Sequence, residues 1–151
     1  MCELAFGDLP RVVLDEREIH RDGPSYTADT LSELQREYPR AQLYLVLGAD
    51  QLLVFKSWVR WQEVLEHAEL AVANRAADIG AHAPLDQVTE TDLSGVDLPF
   101  HSLRMPLKNI SATDVRARVG QSAPAIGALD VLVPEAVARY ISQHHLYQPP
   151  Q

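Results

Sequence analysis

Three stretches of the chain bring together residue types that could do chemistry. In the first, Gly48 closes the apolar run Leu43-Tyr44-Leu45-Val46-Leu47, and Asp50 follows two positions later. A glycine where a buried strand ends lets a ligand approach the backbone, and a carboxylate just beyond it can accept hydrogen bonds from the hydroxyls of a ribose. The same residues also suit a plainer role, in which Asp50 caps the short helix Gln51-Leu52-Leu53-Val54. The second stretch is Asn109-Ile110-Ser111-Ala112-Thr113-Asp114-Val115-Arg116. Free N–H groups at a helix start attract phosphate, Ser111 and Thr113 add hydroxyls, and Arg116 adds a delocalised charge. An ordinary capped amphipathic helix fits this spacing too. The third is Phe55-Lys56-Ser57-Trp58-Val59-Arg60-Trp61. Either tryptophan could stack on a heteroaromatic ring or simply anchor the loop to the core.

The elements that must position these groups alternate between strand and helix. Arg11–Leu14, the run ending at Gly48, Leu70–Ala73 and Phe100–Met105 read as strands, the second of them buried on both faces. Helical spacing of Leu31, Leu34 and Tyr38 predicts a helix from Tyr26 to Tyr38, capped by Ser25 and closed by Pro39. Shorter helices are expected over Trp61–His67, from Ser111 to Val119 and from Pro134 to His144, and Met1–Phe6 reads as a helix tail stopped at Gly7. Strands alternating with helices predict an α/β fold with a mostly parallel sheet flanked by helices. Residues 1–147 are expected to form a single domain and 148–151 a disordered tail. The stretch Ala76–Pro99, punctuated by Gly80, Pro84, Gly95 and Pro99, predicts a long loop with one helical turn near Leu85–Val88.

Bulk properties narrow the partners. The 151 residues, 46% hydrophobic, suffice for one core. A net charge of −8 opposes binding to nucleic acid or an anionic membrane. Cys2 is the single cysteine, so neither a disulfide framework nor a thiolate metal site is expected. No apolar run reaches the ~18 residues of a membrane span, and the chain reads as cytoplasmic.

Taken together, Leu14-Asp15-Glu16-Arg17-Glu18, Pro24-Ser25-Tyr26-Thr27-Ala28-Asp29-Thr30-Leu31, Leu47-Gly48-Ala49-Asp50, Phe55-Lys56-Ser57-Trp58, Asn109-Ile110-Ser111-Ala112-Thr113 with Arg116, and the close from Tyr140-Ile141 to Leu146-Tyr147 follow the order of a known family. The chain resembles nicotinate-nucleotide adenylyltransferases, enzymes of Rossmann-like nucleotidyltransferase fold that join ATP and nicotinate mononucleotide into deamido-NAD in NAD biosynthesis. Ser-Tyr-Thr-x-x-Thr with Ile-Ser-x-Thr-x-x-Arg is specific as a pair, whereas either alone is weak.

The resemblance implies that Tyr26, Thr27 and Trp58 surround the nicotinate ring, with backbone N–H groups near Thr27 and Val59 on its carboxylate. It implies that Gly48 and Asp50 meet the adenosine ribose, and that Arg75 lies near nucleotide phosphate. Ile110, Ser111, Thr113 and Arg116 would hold the base and phosphates of ATP. Mg²⁺ would enter with ATP, with no metal site of the protein's own, and a homo-oligomer is compatible with the family. The family's glycine-rich His-x-Gly-His segment is missing from the sequence: His20, His67, His82, His101, His144 and His145 include no such pattern. The chain therefore reads as an N-terminally truncated member, impaired or inactive in transfer. The other readings are a non-catalytic nucleotide-binding remnant of the same fold, and a relative that uses a phosphopantetheine acceptor.

Overall fold

The computed structural model of the protein describes residues 1–73, 90–105, 112–121 and 132–147, with only the backbone at 114 and 121. Two compact units emerge, one made of Met1–Asp15 with Ile110–Gln151 and the other of Glu16–Asn109.

The Glu16–Asn109 unit holds three parallel strands in the order β1-β2-β3: β1 (Leu43–Gly48), β2 (Ala68–Ala73) and β3 (Phe100–Leu103). Leu43 pairs with Ala68 and Gly48 with Ala73, and Ala73 in turn pairs with Leu103, so Gly48, Ala73 and Leu103 share the carboxyl edge. Helix α2 (Thr27–Glu37) precedes the sheet. Between β1 and β2 the chain forms α3 (Ala49–Leu53), a 3₁₀ turn (Phe55–Ser57) and α4 (Trp61–His67). These helices and the sheet close one apolar core around Phe55, Leu52, Val64, Leu70 and Val72, with Ala28 and Leu31 entering from α2. The parallel sheet flanked by helices is the α/β arrangement expected from the alternation of strand and helix.

Arginines tie the segment before α2 onto that helix. Arg17 pairs with Glu37 at 3.0 Å, Arg21 with Glu33 at 3.0 Å, and the Thr30 hydroxyl donates to Glu18 at 2.5 Å.

In the other unit, Ala5 of α1 (Cys2–Phe6) packs against a small core made by Val119 of α5 (Ala112–Gln121) and by Val137, Ala138 and Ile141 of α6 (Glu135–Gln143). Pro134 precedes α6 as its N-cap, where a missing N–H costs nothing.

Three expectations need correction. Arg11–Leu14 forms no strand: Arg11 sits at φ 65°, which breaks an extended run, and Val13 is 86% exposed. Burial of β1 is one-sided, because Leu43, Leu45 and Leu47 face the core while Tyr44 and Val46 are exposed. Ser25 does not cap α2. Tyr26 is its N-cap, without a side-chain cap bond, and the Ser25 hydroxyl donates to the Glu18 carbonyl at 3.2 Å instead. The helical turn expected near Leu85–Val88 and the tail 148–151 lie outside the described residues.

Candidate functional site

Gly48 and Asp50 stand where the carboxyl edge of the sheet turns into α3. Gly48 ends β1 in an extended conformation (φ −78°, ψ 158°) and is the N-cap of α3, so Asp50 is not the capping residue. It occupies the first turn, where a carboxylate favours the helix dipole, and remains exposed. A Cβ built on Gly48 would lie 2.5 Å from Asp50 Oδ1, well inside van der Waals contact. The carboxylate thus folds back over bare backbone, and a side chain at position 48 would displace the Asp50 carboxylate although the dihedral angles of Gly48 suit any residue.

Trp58 and Val59 follow the 3₁₀ turn. Phe55, fully buried, holds the half-buried Trp58 ring at 5.2 Å between centroids and the Trp61 ring at 6.3 Å. Val59 is 51% exposed. Anchoring of Trp58 and exposure of its neighbour therefore coexist in one turn.

Arg60 connects this turn to the start of α2. It is the N-cap of α4 and adopts φ 56°, ψ 40°, a left-handed conformation unfavourable for a residue with a side chain. Its Nη2 donates to Asp29 Oδ1 at 2.5 Å and its Nη1 to Glu63 Oε2 at 3.2 Å. The guanidinium also lies 5.8 Å from the centroid of the Tyr26 ring, within cation–π range. Asp29 is two residues beyond Thr27 on the same helix, so Arg60 links the Tyr26–Thr27 segment to the Trp58–Val59 turn. The hydrogen bond from Arg60 holds the Asp29 carboxyl below the ordinary carboxylate range, against partial desolvation, with the charges of Arg60 and Arg21 adding to the effect. The same bond raises Arg60 above its ordinary value.

Thr113 and Arg116 lie in the first two turns of α5, both exposed, with Arg116 Nη2 donating to Thr113 Oγ1 at 3.4 Å. Arg75, Ile110 and Ser111 lie outside the described residues. The structure thus brings Tyr26, Thr27, Trp58 and Val59 into one region of one unit, and leaves Gly48 and Asp50 at the sheet edge of the same unit. The pairing of Arg60 with Asp29 has no motif of its own. The only sequence signal is a cation between two tryptophans and a carboxylate in the first turn of a helix.

Elsewhere in this unit a cavity of about 310 Å³ is lined by Leu52, Leu53, Lys56, Val96, Asp92 and Asp97 among others, none of them a residue proposed from sequence. The Asp92 carboxylate accepts a hydrogen bond from the Ser94 N–H at 2.9 Å, which lowers its pKa. His101 bonds to Glu69 and meets the Tyr44 ring edge-on at 5.7 Å, as a surface cross-strand cluster. Among the described residues no group of three or more histidines, cysteines or carboxylates could hold a metal, and no helix is long and apolar enough to cross a membrane.

The chain is similar to a known family of proteins. Residues 1–118 match the family model described as cytidylyltransferase-like. A protein of Albidiferax ferrireducens named "Probable nicotinate-nucleotide adenylyltransferase" is 49% identical over 98% of this chain and 70% of its own length. Proteins of the same name from Methylibium petroleiphilum and Aeromonas hydrophila are 40% and 36% identical, over 91% and 99% of this chain and 62% and 72% of theirs. On these matches, and with a parallel sheet whose carboxyl edge carries Gly48 and Asp50, the chain belongs to the cytidylyltransferase-like family and, within it, to the nicotinate-nucleotide adenylyltransferases.

Proposed function

We propose that the protein takes part in adenylyl transfer from ATP to nicotinate mononucleotide, giving deamido-NAD and pyrophosphate. In this reaction a phosphate oxygen of the mononucleotide attacks the α-phosphorus of ATP. The bond from that phosphorus to the bridging oxygen breaks, and pyrophosphate leaves with the electron pair. No covalent intermediate with the protein is required, so the protein's work is to align the anionic groups and stabilise the charge that develops between them. Mg²⁺ enters on the phosphates of ATP, as part of the substrate.

The observation that carries this reading is the joining of Tyr26–Thr27 to Trp58–Val59 within one unit. An aromatic face and main-chain N–H groups suit a flat ring bearing a carboxylate: Tyr26 and Trp58 are proposed to flank it, and N–H groups near Thr27 and Val59 to receive the charge. The N-cap Tyr26 makes no side-chain cap bond, and its carbonyl accepts from the Asp29 and Thr30 N–H groups at 3.0 and 3.3 Å, so it is the Thr27 N–H, ahead of them at the helix start, that is proposed to meet the carboxylate. Gly48 and Asp50 are assigned to the adenosine ribose. Thr113 and Arg116, with Ile110 and Ser111, are assigned to the base and phosphates of ATP, and Arg75 to nucleotide phosphate.

None of the six histidines stands in a His-x-Gly-His pattern, so these 151 residues are proposed to bind their nucleotides and to transfer slowly on their own. Loss of one transition-state donor costs about 2.7–4 kcal/mol in comparable sites. Calorimetry and a pyrophosphate-release assay with nicotinate mononucleotide and ATP test both parts. Binding with slow or absent turnover is the expected result. Binding of phosphopantetheine in place of the mononucleotide, or of no nucleotide at all, would overturn the assignment.

A further inference from the structure

We infer that the Arg60–Asp29 pair is a clasp that sets the spacing between Tyr26–Thr27 and Trp58–Val59, which makes Arg60 a positioning residue for the pyridine ring. The inference rests on the mononucleotide site proposed above and adds to it the group that holds its two sides in place.

Arg60 is the residue directly after Val59, so any force on its guanidinium acts on the Trp58–Val59 turn. The left-handed backbone at Arg60 is unfavourable for a side-chain-bearing residue and persists where surrounding contacts hold it. Those contacts are Asp29 at 2.5 Å, Glu63 at 3.2 Å and the Tyr26 ring at 5.8 Å. Two of the three belong to the segment that opens α2. Glu63, on α4 itself, steers the second arm of the guanidinium and leaves Nη2 aimed at Asp29. A planar fork can serve two carboxylates at once, which a lysine ammonium does less well.

The side chains of Arg60 and Asp29 are 38% and 35% exposed. A pair so accessible to solvent contributes little to global stability. Its effect is local: it adds a link to α2 for a turn whose other restraints are the packing of Trp58 on Phe55 and the bonds of Ser57 to the Val54 carbonyl. Affinity for the ring, not folding, is what should depend on it.

The test is calorimetry on the full chain and on Asp29→Asn, Arg60→Met, Arg60→Lys and the double variant Asp29→Asn with Arg60→Met. Each single variant except Arg60→Lys should weaken nicotinate mononucleotide about tenfold. The double variant should lose no more than either single, as coupled partners do, and Arg60→Lys should recover part of the loss. ATP affinity should stay within about twofold and the melting temperature within about 2 °C, since the pair is exposed. Unchanged mononucleotide affinity in the single variants, additive losses in the double, or a parallel fall in ATP affinity and melting temperature would overturn the clasp. Failure of the unaltered chain to bind the mononucleotide would instead remove the site on which the clasp is said to act.

Discussion

The carboxylate of Asp50 occupies the space that a side chain on Gly48 would need: a Cβ there would stand 2.5 Å from Asp50 Oδ1. The dihedral angles of Gly48 suit any residue, so the glycine serves the carboxylate and not the turn. Gly48→Ala should therefore fold, with stability changed by no more than about 1 kcal/mol, while swinging Asp50 out of place. The expected outcome is about a tenfold loss of ATP affinity with mononucleotide affinity kept, and a similar pattern for Asp50→Asn. Calorimetry with each nucleotide separately checks it.

Phe55 is fully buried and touches both tryptophan rings. Phe55→Ala should cost about 3–5 kcal/mol, the usual loss for removing a large core ring. It should also free Trp58, so mononucleotide affinity falls even under conditions where the variant remains folded. Phe55→Leu should cost less on both counts. Urea unfolding, with the midpoint read at constant slope, separates the stability effect from the binding effect.

The clasp also has a pH signature. The hydrogen bond from Arg60 depresses the Asp29 carboxyl in the folded chain. A depressed carboxyl contributes stability that is fully present above its unfolded value, about 3.9, and is lost as pH falls through the lower folded value. Binding that depends on this pair should therefore be insensitive to it from about pH 5 upward. A carboxyl-detected NMR titration should place the Asp29 inflection below about 3.9 and return it towards that value in Arg60→Met. An inflection at or above the ordinary value in the unaltered chain would contradict the pairing.

How much of this was legible depended on whether a local rule governs the feature. Helix α4 over Trp61–His67 and the stop of α1 at Gly7 follow from spacing and termination chemistry, and the structure places both there. The run Leu43–Leu47 announces a strand, but apolar content alone does not reveal that Tyr44 and Val46 are exposed. Arg11–Leu14 fails as a strand because an arginine can take a left-handed turn that no sequence rule assigns to it. The residues around the proposed ring site were named from their motifs, whereas the bond that joins them spans 31 positions and two unlike segments. Arg60 looks like a solvated charge until its backbone conformation and Asp29 are seen together. Ser25 is a preferred capping type, yet its hydroxyl reaches the Glu18 carbonyl, showing how a nearby acceptor overrides a local preference.

Whether a pyridine ring enters between Tyr26–Thr27 and Trp58–Val59 can be read directly by two-dimensional NMR on the labelled chain during titration with nicotinate mononucleotide. The indole N–H of Trp58 and the amides of Thr27 and Val59 should shift together and saturably, while the indole of Trp61, held against Phe55, stays nearly still. Saturable binding that leaves Trp58, Thr27 and Val59 unmoved would place the ring elsewhere and contradict the assignment.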